Sequence, residues 1–101
     1  MTEFVTLAPA AELPPGERMV VQIGRLWVAI FNIEGQLYAI QDVCTHDGGP
    51  LAEGTVMETC VMCPRHGACF DLKTGHGTFP AAGPIPIYEA RIEGDEIKIR
   101  L

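Results

Sequence analysis

Residues 44–71 decide the fold of this chain, and they read CTHDGGPLAEGTVMETCVMCPRHGACFD. Two short phrases stand out: Cys44-Thr-His46-Asp-Gly-Gly-Pro-Leu51 and Cys63-Pro-Arg-His66-Gly-Ala-Cys-Phe-Asp71. Each phrase holds one Cys followed closely by one His, and sixteen residues separate His46 from Cys63. Thiolate and imidazole side chains are common metal ligands. The clustering of Cys and His in the two phrases therefore predicts a metal or redox site.

The length and charge of the chain limit what surrounds this site. The 101 residues suffice for one core, so we expect a single domain over 1–101, with the binding loops within about 42–83. Hydrophobic residues make up 48% and charged residues 20%, which is typical of a globular protein. The formal net charge of −6 disfavours nucleic acid as a partner and favours a protein with a basic docking surface.

The segments outside the two phrases alternate apolar and polar residues or are rich in β-branched residues. They predict strands over 4–7, 18–23, 27–32, 36–41, 87–92 and 96–101, and one further strand over 55–62 joins the two phrases. Residues 44–54 and 63–77 are predicted loops, because glycine is concentrated there. We expect an all-β fold, an antiparallel sandwich or small barrel of seven to ten short strands with a two-loop insertion.

The chain shows no apolar run long enough to cross a membrane, so no membrane association is expected. The opening residues, MTEF, lack the basic and apolar regions of a signal peptide, and we expect a cytoplasmic protein. In a reducing compartment thiols stay free, so metal binding or redox chemistry is expected of the four cysteines before disulfides.

Both phrases resemble the binding loops of the Rieske 2Fe–2S family, including the flanking Gly-Pro-Leu and the Cys-Pro-x-His-Gly pattern. In that family two Cys bind one iron of a 2Fe–2S cluster and two His bind the other. The resemblance implies that Cys44 and Cys63 ligate the inner iron, and that His46 and His66 ligate the outer one. It also implies a Rieske-like antiparallel β fold whose two loops form a cluster-binding subdomain.

Departures from the respiratory and photosynthetic branch of that family indicate a low-potential cluster. That branch has two further Cys at the positions of Gly49 and Arg65, which form a disulfide between the loops. It also has Ser and Tyr hydroxyls at the positions of Ala68 and Phe70, which donate hydrogen bonds to cluster and ligand sulfurs. Fewer hydrogen bonds to sulfur lower the potential, so we expect the lower end of the family range of about −150 to +300 mV.

Short, acidic Rieske proteins of this kind resemble the ferredoxin components of multicomponent oxygenases. The resemblance implies a one-electron carrier between a flavoprotein reductase and a terminal non-haem iron oxygenase, with no catalytic site of its own. One alternative is the small Rieske-like subunit of a larger reductase such as an assimilatory nitrite reductase. Another is a carrier for iron–sulfur assembly or a different redox pathway.

Alternative roles remain open for several cysteines and histidines. Two Cys and two His could hold zinc, although a zinc finger pairs Cys with Cys and His with His. Cys60-Val-Met-Cys63 matches a redox C-x-x-C spacing, but it follows a β-type run and meets Pro64. We interpret Cys60 as a buried small hydrophobe in a strand, and Cys69 as a packing residue.

Ordinary structural roles are expected for most of the other histidine, aromatic, proline and charged residues. His76 is expected to be a solvated loop residue, and the strand aromatics are expected to lie in the core: Trp27, Phe31, Tyr38 and Tyr88. Residues 80–84 form a Pro-containing loop in which Pro84 or a neighbour is expected to shield the cluster. Around the cluster, exposed charges serve solubility or docking: Asp47, Glu53 and Arg65.

Overall fold

The computed structural model describes residues 3–43, 51–63, 67–78 and 84–101. In chain order its elements are β1 (Val5–Pro9), a 3-10 helix (Ala10–Glu12), β2 (Arg18–Ile23), β3 (Leu26–Ile33), β4 (Gln36–Gln41), β5 (Thr55–Met57), β6 (Cys60–Met62), β7 (Cys69–Asp71), β8 (Ile87–Glu93) and β9 (Glu96–Arg100). The predicted all-β class is confirmed. Within the described ranges no helix is long and apolar enough to cross a bilayer.

The strands form two antiparallel sheets. The large sheet has the order β1-β9-β8-β4-β3-β2, and the small sheet has the order β5-β6-β7. In the large sheet, β2–β3, β3–β4 and β8–β9 are hairpins joined by short turns. At the β3–β4 turn Glu34 and Gly35 have φ values of 54° and 93°, the left-handed geometry that a two-residue hairpin turn needs.

The central strand β3 has two buried faces, which explains its nearly unbroken apolar sequence. Ala29 and Phe31 face a core shared with the small sheet, whereas Val28 and Ile30 face a second core inside the large sheet. We call the first the inter-sheet core; its buried members are Ala29, Phe31, Ile40, Leu51, Ala52, Val61, Cys63, Ala68, Phe70, Leu72 and Ile85. We call the second the large-sheet core; its buried members are Leu13, Val28, Ile30, Leu37, Ala39, Ala90, Ile97 and Ile99.

The one buried polar side chain among the described residues is fully satisfied. Asn32 donates from Nδ2 to the Leu13 carbonyl oxygen at 2.8 Å, and its Oδ1 accepts the Gly35 N–H at 2.8 Å. These bonds fix the loop that enters β2 against the β3–β4 turn. A buried amide left without partners would be costly, so this satisfaction keeps the end of β3 rigid.

Two details of the expected secondary structure are wrong. The strand expected over 55–62 is a hairpin, β5 and β6, which turns at Glu58 with φ 56°. The loop expected over 63–77 contains β7, which pairs with β6. Both errors have one cause: strands of three residues are too short to show a period, and pairing with their neighbours makes them strands.

Candidate metal centre

Of the four expected cluster ligands, the structure describes Cys63. The other three, Cys44, His46 and His66, lie outside the described residues. Within the described ranges no group of three or more His, Cys, Asp or Glu side chains is placed to hold a metal ion. Within the described residues, the site therefore consists of Cys63 and of the backbone that flanks the two phrases.

Cys63 follows β6 directly and lies in the inter-sheet core, with 2% of its surface exposed. Its N–H donates to the Ala68 carbonyl oxygen at 2.6 Å, and its carbonyl oxygen accepts the Gly67 N–H at 3.1 Å. Gly67 has φ 77°, a backbone conformation that favours glycine. These bonds join Cys63 to Gly67 and Ala68, and so fix the backbone on both sides of residues 64–66 to the small sheet.

One carboxylate binds the segment at the end of the first phrase, residues 51–54, which we call the base of the first phrase. Oδ1 of Asp42 accepts the N–H of Leu51 at 2.7 Å and the N–H of Ala52 at 2.8 Å. The Asp42 N–H donates to the Trp27 carbonyl oxygen at 2.8 Å, which anchors the carboxylate to the large sheet. A single side chain thus joins the two ends of the segment that contains Cys44 and His46.

Arg18 holds the same base from the other side. Its guanidinium donates to the Ala52 carbonyl oxygen at 2.7 Å and also to the carbonyl oxygen of Gly54. The guanidinium carbon lies 5.4 Å from the centre of the Phe31 ring, within the range of a cation–π contact. Because Arg18 belongs to β2, these contacts fasten the first phrase to the large sheet.

At Gly54 the base of the first phrase contacts Met62, the residue before the second phrase. A Cβ added there would overlap the carbonyl oxygen of Met62 and crowd that of Leu51. Only glycine permits this approach of two backbones. Since Met62 directly precedes Cys63, the segment that follows the first phrase packs against the start of the second.

Cys60 and Cys69 depart from the sequence interpretation. Their sulfur atoms are bonded in a disulfide, with the Cα atoms 5.9 Å apart. Cys60 is therefore not a buried small hydrophobe, and Cys69 does more than pack. The sequence interpretation missed the pair because it had no register for β6 and β7, in which Met62 faces Cys69 and Cys60 faces Asp71. A redox pair between Cys60 and Cys63 is also excluded, since Cys63 is a free thiol.

The other residues that the sequence associates with the site are exposed where the structure describes them. Glu53 is exposed, as expected, whereas Asp47 and Arg65 lie outside the described residues. His76 is exposed in the loop that follows β7, which confirms its interpretation. Pro84 is exposed, and its neighbours over 79–83 lie outside the described residues, so cluster shielding stays a prediction.

The aromatic expectations were correct except at Trp27. Phe31 is buried, and Tyr38 and Tyr88 are half-buried against the two cores. Trp27 is 53% exposed. It shares the face of β3 that carries Ala29 and Phe31, but it stands at the strand end, beside the base of the first phrase. The small sheet covers Ala29 and Phe31 and leaves the ring of Trp27 in solvent.

Comparison with known proteins identifies the family. The model of the Rieske [2Fe-2S] domain matches residues 3–89. This chain belongs to the Rieske family. A Rieske domain carries one 2Fe–2S cluster, and the cofactor of this protein is a cluster of that type.

Relatives and solved structures show which Rieske proteins the chain resembles. It is 38% identical over 95 residues to the 3-phenylpropionate/cinnamic acid dioxygenase ferredoxin subunit of Escherichia coli K12, covering 92% of this chain and 89% of that one. The ferredoxin in a complex of reduced oxygenase and oxidized ferredoxin of carbazole 1,9a-dioxygenase is 28% identical, with a TM-score of 0.85 and coverage of 95% and 91%. The protein is thus a Rieske ferredoxin, an electron carrier whose relatives are named as components of dioxygenase systems.

A third similarity concerns the fold alone. A nitrite reductase small subunit from Mycobacterium tuberculosis matches with a TM-score of 0.88 at 22% identity, covering 100% of this chain and 96% of that one. The TM-score shows that the two chains share the Rieske fold, and at this low identity the similarity shows the fold alone. It does not extend the function of that subunit to this protein.

The described residues fit a Rieske cluster. The thiol of Cys63 is free and buried, and the backbone of Cys63 is held by two hydrogen bonds. Thiolates are the ligands that iron–sulfur clusters take in proteins. Cys60 and Cys69 are bonded to each other, which leaves Cys63 as the described cysteine available to iron. Around it lie apolar side chains without hydroxyl groups, including Ala68 and Phe70.

Proposed function

We propose that this ferredoxin passes single electrons from a flavoprotein reductase to a terminal non-haem iron oxygenase. The burial of the free thiol of Cys63, at the meeting point of two braced loop bases, carries the proposal. Cys63 fixes the start of the second phrase to the small sheet, and Leu51, the last residue of the first phrase, lies in the same inter-sheet core. The similarity to ferredoxin subunits of dioxygenases supports the choice of partners.

In this proposal each phrase supplies one ligand to each iron. Cys44 and Cys63 hold the inner iron, and His46 and His66 hold the outer iron, nearer the solvent. When bound, the cluster supplies a store for one electron. The residues of the chain do the rest: Cys63 anchors the buried side, Asp42 and Arg18 fix the first phrase, and the apolar inter-sheet core excludes water.

The charge of the chain supports transient docking to basic partners. The formal net charge is −6, and the exposed carboxylate of Glu53 lies between the two bonded sites of the first base, Ala52 and Gly54. Complementary charge raises the rate of association between carriers more than it raises affinity. The carrier thus releases each partner quickly, as electron shuttling requires.

The environment of the sulfur atoms supports a low potential. Ala68 and Phe70 are fully buried, so the two positions that carry hydroxyls in the high-potential branch offer apolar side chains in this protein. We propose a reduction potential near the lower end of about −150 to +300 mV. A redox titration monitored by visible absorbance measures it, and a midpoint well above zero would contradict this part of the proposal.

The alternative role, as a small subunit of a nitrite reductase, is supported by the shared fold alone. The presence of all four ligand residues in the sequence favours a working carrier, because a subunit with a purely structural role does not need them. A native preparation separates the two roles. A carrier elutes alone, whereas a subunit elutes with a larger chain in fixed stoichiometry.

Electron transfer tests the proposal directly. The purified protein is titrated anaerobically with NADH and a catalytic amount of a dioxygenase flavoprotein reductase, then mixed with oxidised terminal oxygenase. The proposal predicts uptake of one electron per chain and reoxidation on mixing, with a rate that falls as salt rises. Reduction by dithionite but by no reductase, or a reduced protein that no oxygenase reoxidises, would contradict it.

A charge reversal sharpens the docking argument. Glu53→Lys is expected to slow reduction and to weaken its salt dependence, because it places a positive charge beside the first phrase. Glu96→Lys makes the same change on β9, in the large sheet, and serves as the matched control. Equal rates for Glu53→Lys, Glu96→Lys and the unchanged protein would remove Glu53 from the docking surface.

A further inference from the structure

Cys60 and Cys69 stand on either side of the second phrase. They are nine positions apart, and the segment between them, residues 61–68, contains the cluster ligand Cys63 and the expected ligand His66. Their Cα atoms are 5.9 Å apart, inside the range of about 4.4–6.8 Å that disulfides span. The bond therefore closes a covalent ring around the ligand phrase.

The two cysteines lie on the outer face of the small sheet. Successive strand residues point to opposite faces, and the neighbours Val61 and Phe70 are fully buried in the inter-sheet core. Cys60 and Cys69 are half-buried, so part of each residue is exposed to solvent, on the face that small thiols and disulfides approach. Cys63, by contrast, is buried. The four cysteines thus divide between an expected iron-binding pair and an accessible pair.

We propose that Cys60 and Cys69 form a reversible dithiol–disulfide site, a two-electron redox centre beside the one-electron cluster. Its oxidant is a low-molecular-weight disulfide such as glutathione disulfide. The two thiols lose two protons and two electrons as their S–S bond forms. The S–S bond of the oxidant breaks and takes up both, giving two thiols. The dithiol–disulfide exchange is separate from the electron transfer described above, whereas its effect on the loaded carrier rests on the proposed function.

The structure favours reversibility over a permanent structural role. Accessible disulfides exchange readily, and a short closed segment constrains the unfolded chain less than a long one does. The hairpin also has other bonds that persist when the disulfide opens. The Cys63 N–H still donates to Ala68, the Gly67 N–H still donates to Cys63, and Phe70 remains in the core. The dithiol form therefore keeps the same fold.

Opening the disulfide removes the covalent closure at the base of the second phrase. The remaining hydrogen bonds still join Cys63 to Gly67 and Ala68 but permit more frequent local opening. The dithiol form is expected to release iron to a chelator faster than the disulfide form, by on the order of threefold to tenfold. Redox conditions thereby set the lifetime of the loaded carrier.

Thiol counting tests the site on the cluster-loaded protein. The protein is equilibrated anaerobically in buffers of graded ratios of reduced to oxidised glutathione, quenched in acid, and labelled with a maleimide mass tag. The expected result is a cooperative change from four labelled cysteines to two, with peptide mapping assigning the lost labels to Cys60 and Cys69. Four labels at every ratio, or separate glutathione adducts on the two cysteines, would overturn the proposal.

Single variants control for the identity of the pair. Cys60→Ser and Cys69→Ser each break the pair, so neither variant can lose two labels together. A paired loss in either variant would assign the disulfide to other cysteines and overturn the proposal. Iron and sulfide are measured on the same samples. Their absence would count against the proposed cluster function and would leave the labelling result readable.

Chelator kinetics test the effect on the ligand phrase. Iron release is followed by loss of visible absorbance before and after thiol treatment, and the double variant Cys60→Ser with Cys69→Ser is treated in parallel. The untreated protein is expected to release iron slowly and the treated protein faster, whereas the double variant releases fast under both conditions. Equal rates from the disulfide and dithiol forms would contradict the bracing role.

Discussion

The large and small sheets of this ferredoxin are stabilised in different ways. The strands of the large sheet span five to eight residues, and most are joined by short hairpin turns. The strands of the small sheet have three residues each. A ladder this short is marginal alone, so the small sheet depends on contacts from outside it: Arg18, Asp42 and the inter-sheet core. The redox site is thus built on the region with the least regular structure, and the large sheet supplies its rigidity.

The largest expected effect comes from removing the thiol of Cys63. Cys63→Ser is expected to abolish the cluster, because a hydroxyl is a poor iron ligand and the site is otherwise apolar. Iron and sulfide per chain should fall close to zero and the visible spectrum should disappear. The far-UV circular dichroism of the large sheet should persist, because the large-sheet core does not contain Cys63.

Cys69→Ser is the matched control, since it changes the same side chain six positions later and touches no ligand. It should retain the full iron and sulfide content. If Cys63→Ser kept its cluster while Cys69→Ser lost it, the assignment of the two cysteine pairs would be reversed.

A smaller but still large effect is expected where the two phrase bases touch. In Gly54→Ala the new Cβ would overlap the backbone carbonyl of Met62, which cannot move without displacing Cys63. We expect a loss of about 3 kcal/mol in the free energy of unfolding, and impaired cluster assembly. Urea titration followed by visible absorbance and by circular dichroism measures both regions.

Gly94→Ala provides the comparison within the large sheet. Gly94 has φ 65°, and a Cβ there meets nothing within 4 Å. The cost is that of a left-handed alanine alone, about 1 kcal/mol, and the cluster should be unaffected. Equal losses in the two variants would mean that the close approach at Gly54 does not constrain the site.

Much of the difference between the large and the small sheet can be predicted from the sequence, for physical reasons. Strands β2 and β4 follow the expected boundaries because they lie in continuous ladders whose alternation is visible in the chain. The Glu58 turn and β7 escape prediction because three-residue strands carry no periodic signal. Trp27 escapes because period alone assigns it to a buried face and does not show where the small sheet stops covering that face.

The site was also only partly predictable. The spacing of the two phrases predicts the ligand residues, since ligand chemistry depends on residue type, and that assignment stays a prediction. Asp42, Arg18 and Gly54 act through backbone groups of distant residues, such as the carbonyl oxygens of Ala52 and Met62. Such contacts depend on tertiary packing and leave no local pattern. The Cys60–Cys69 pair likewise depends on strand register.

A moderate effect is expected from Arg18, which links the large sheet to the first phrase. Arg18→Met keeps an apolar contact with Phe31 but removes both hydrogen bonds to the carbonyl oxygens of Ala52 and Gly54. The cost is about 1–2 kcal/mol, reduced by the partial exposure of the guanidinium. Iron release to a chelator should accelerate accordingly.

Arg25→Met changes an exposed arginine in the β2–β3 turn and controls for the loss of charge. It should leave iron release unchanged. Acceleration of the same size in both variants would attribute the effect of Arg18 to net charge instead of to its bonds.

The smallest effect is expected at Asp42, where one oxygen accepts two N–H groups. Asp42→Ala removes the oxygen that accepts the N–H groups of Leu51 and Ala52 and should cost about 1 kcal/mol. Asp42→Asn keeps a carbonyl oxygen in place and should cost less than about 0.5 kcal/mol. Both are measured by urea titration of the cluster absorbance. Identical behaviour of the two variants would show that the acceptor itself does not brace the first phrase.

Electron paramagnetic resonance of the dithionite-reduced protein, with iron and acid-labile sulfide quantified on the same sample, tests the central claim most directly. The account predicts a Rieske-type signal with two irons and two sulfides per chain. Zinc in place of iron, with no signal after anaerobic reconstitution, would contradict it and would leave the four expected ligands, Cys44, His46, Cys63 and His66, with a structural role.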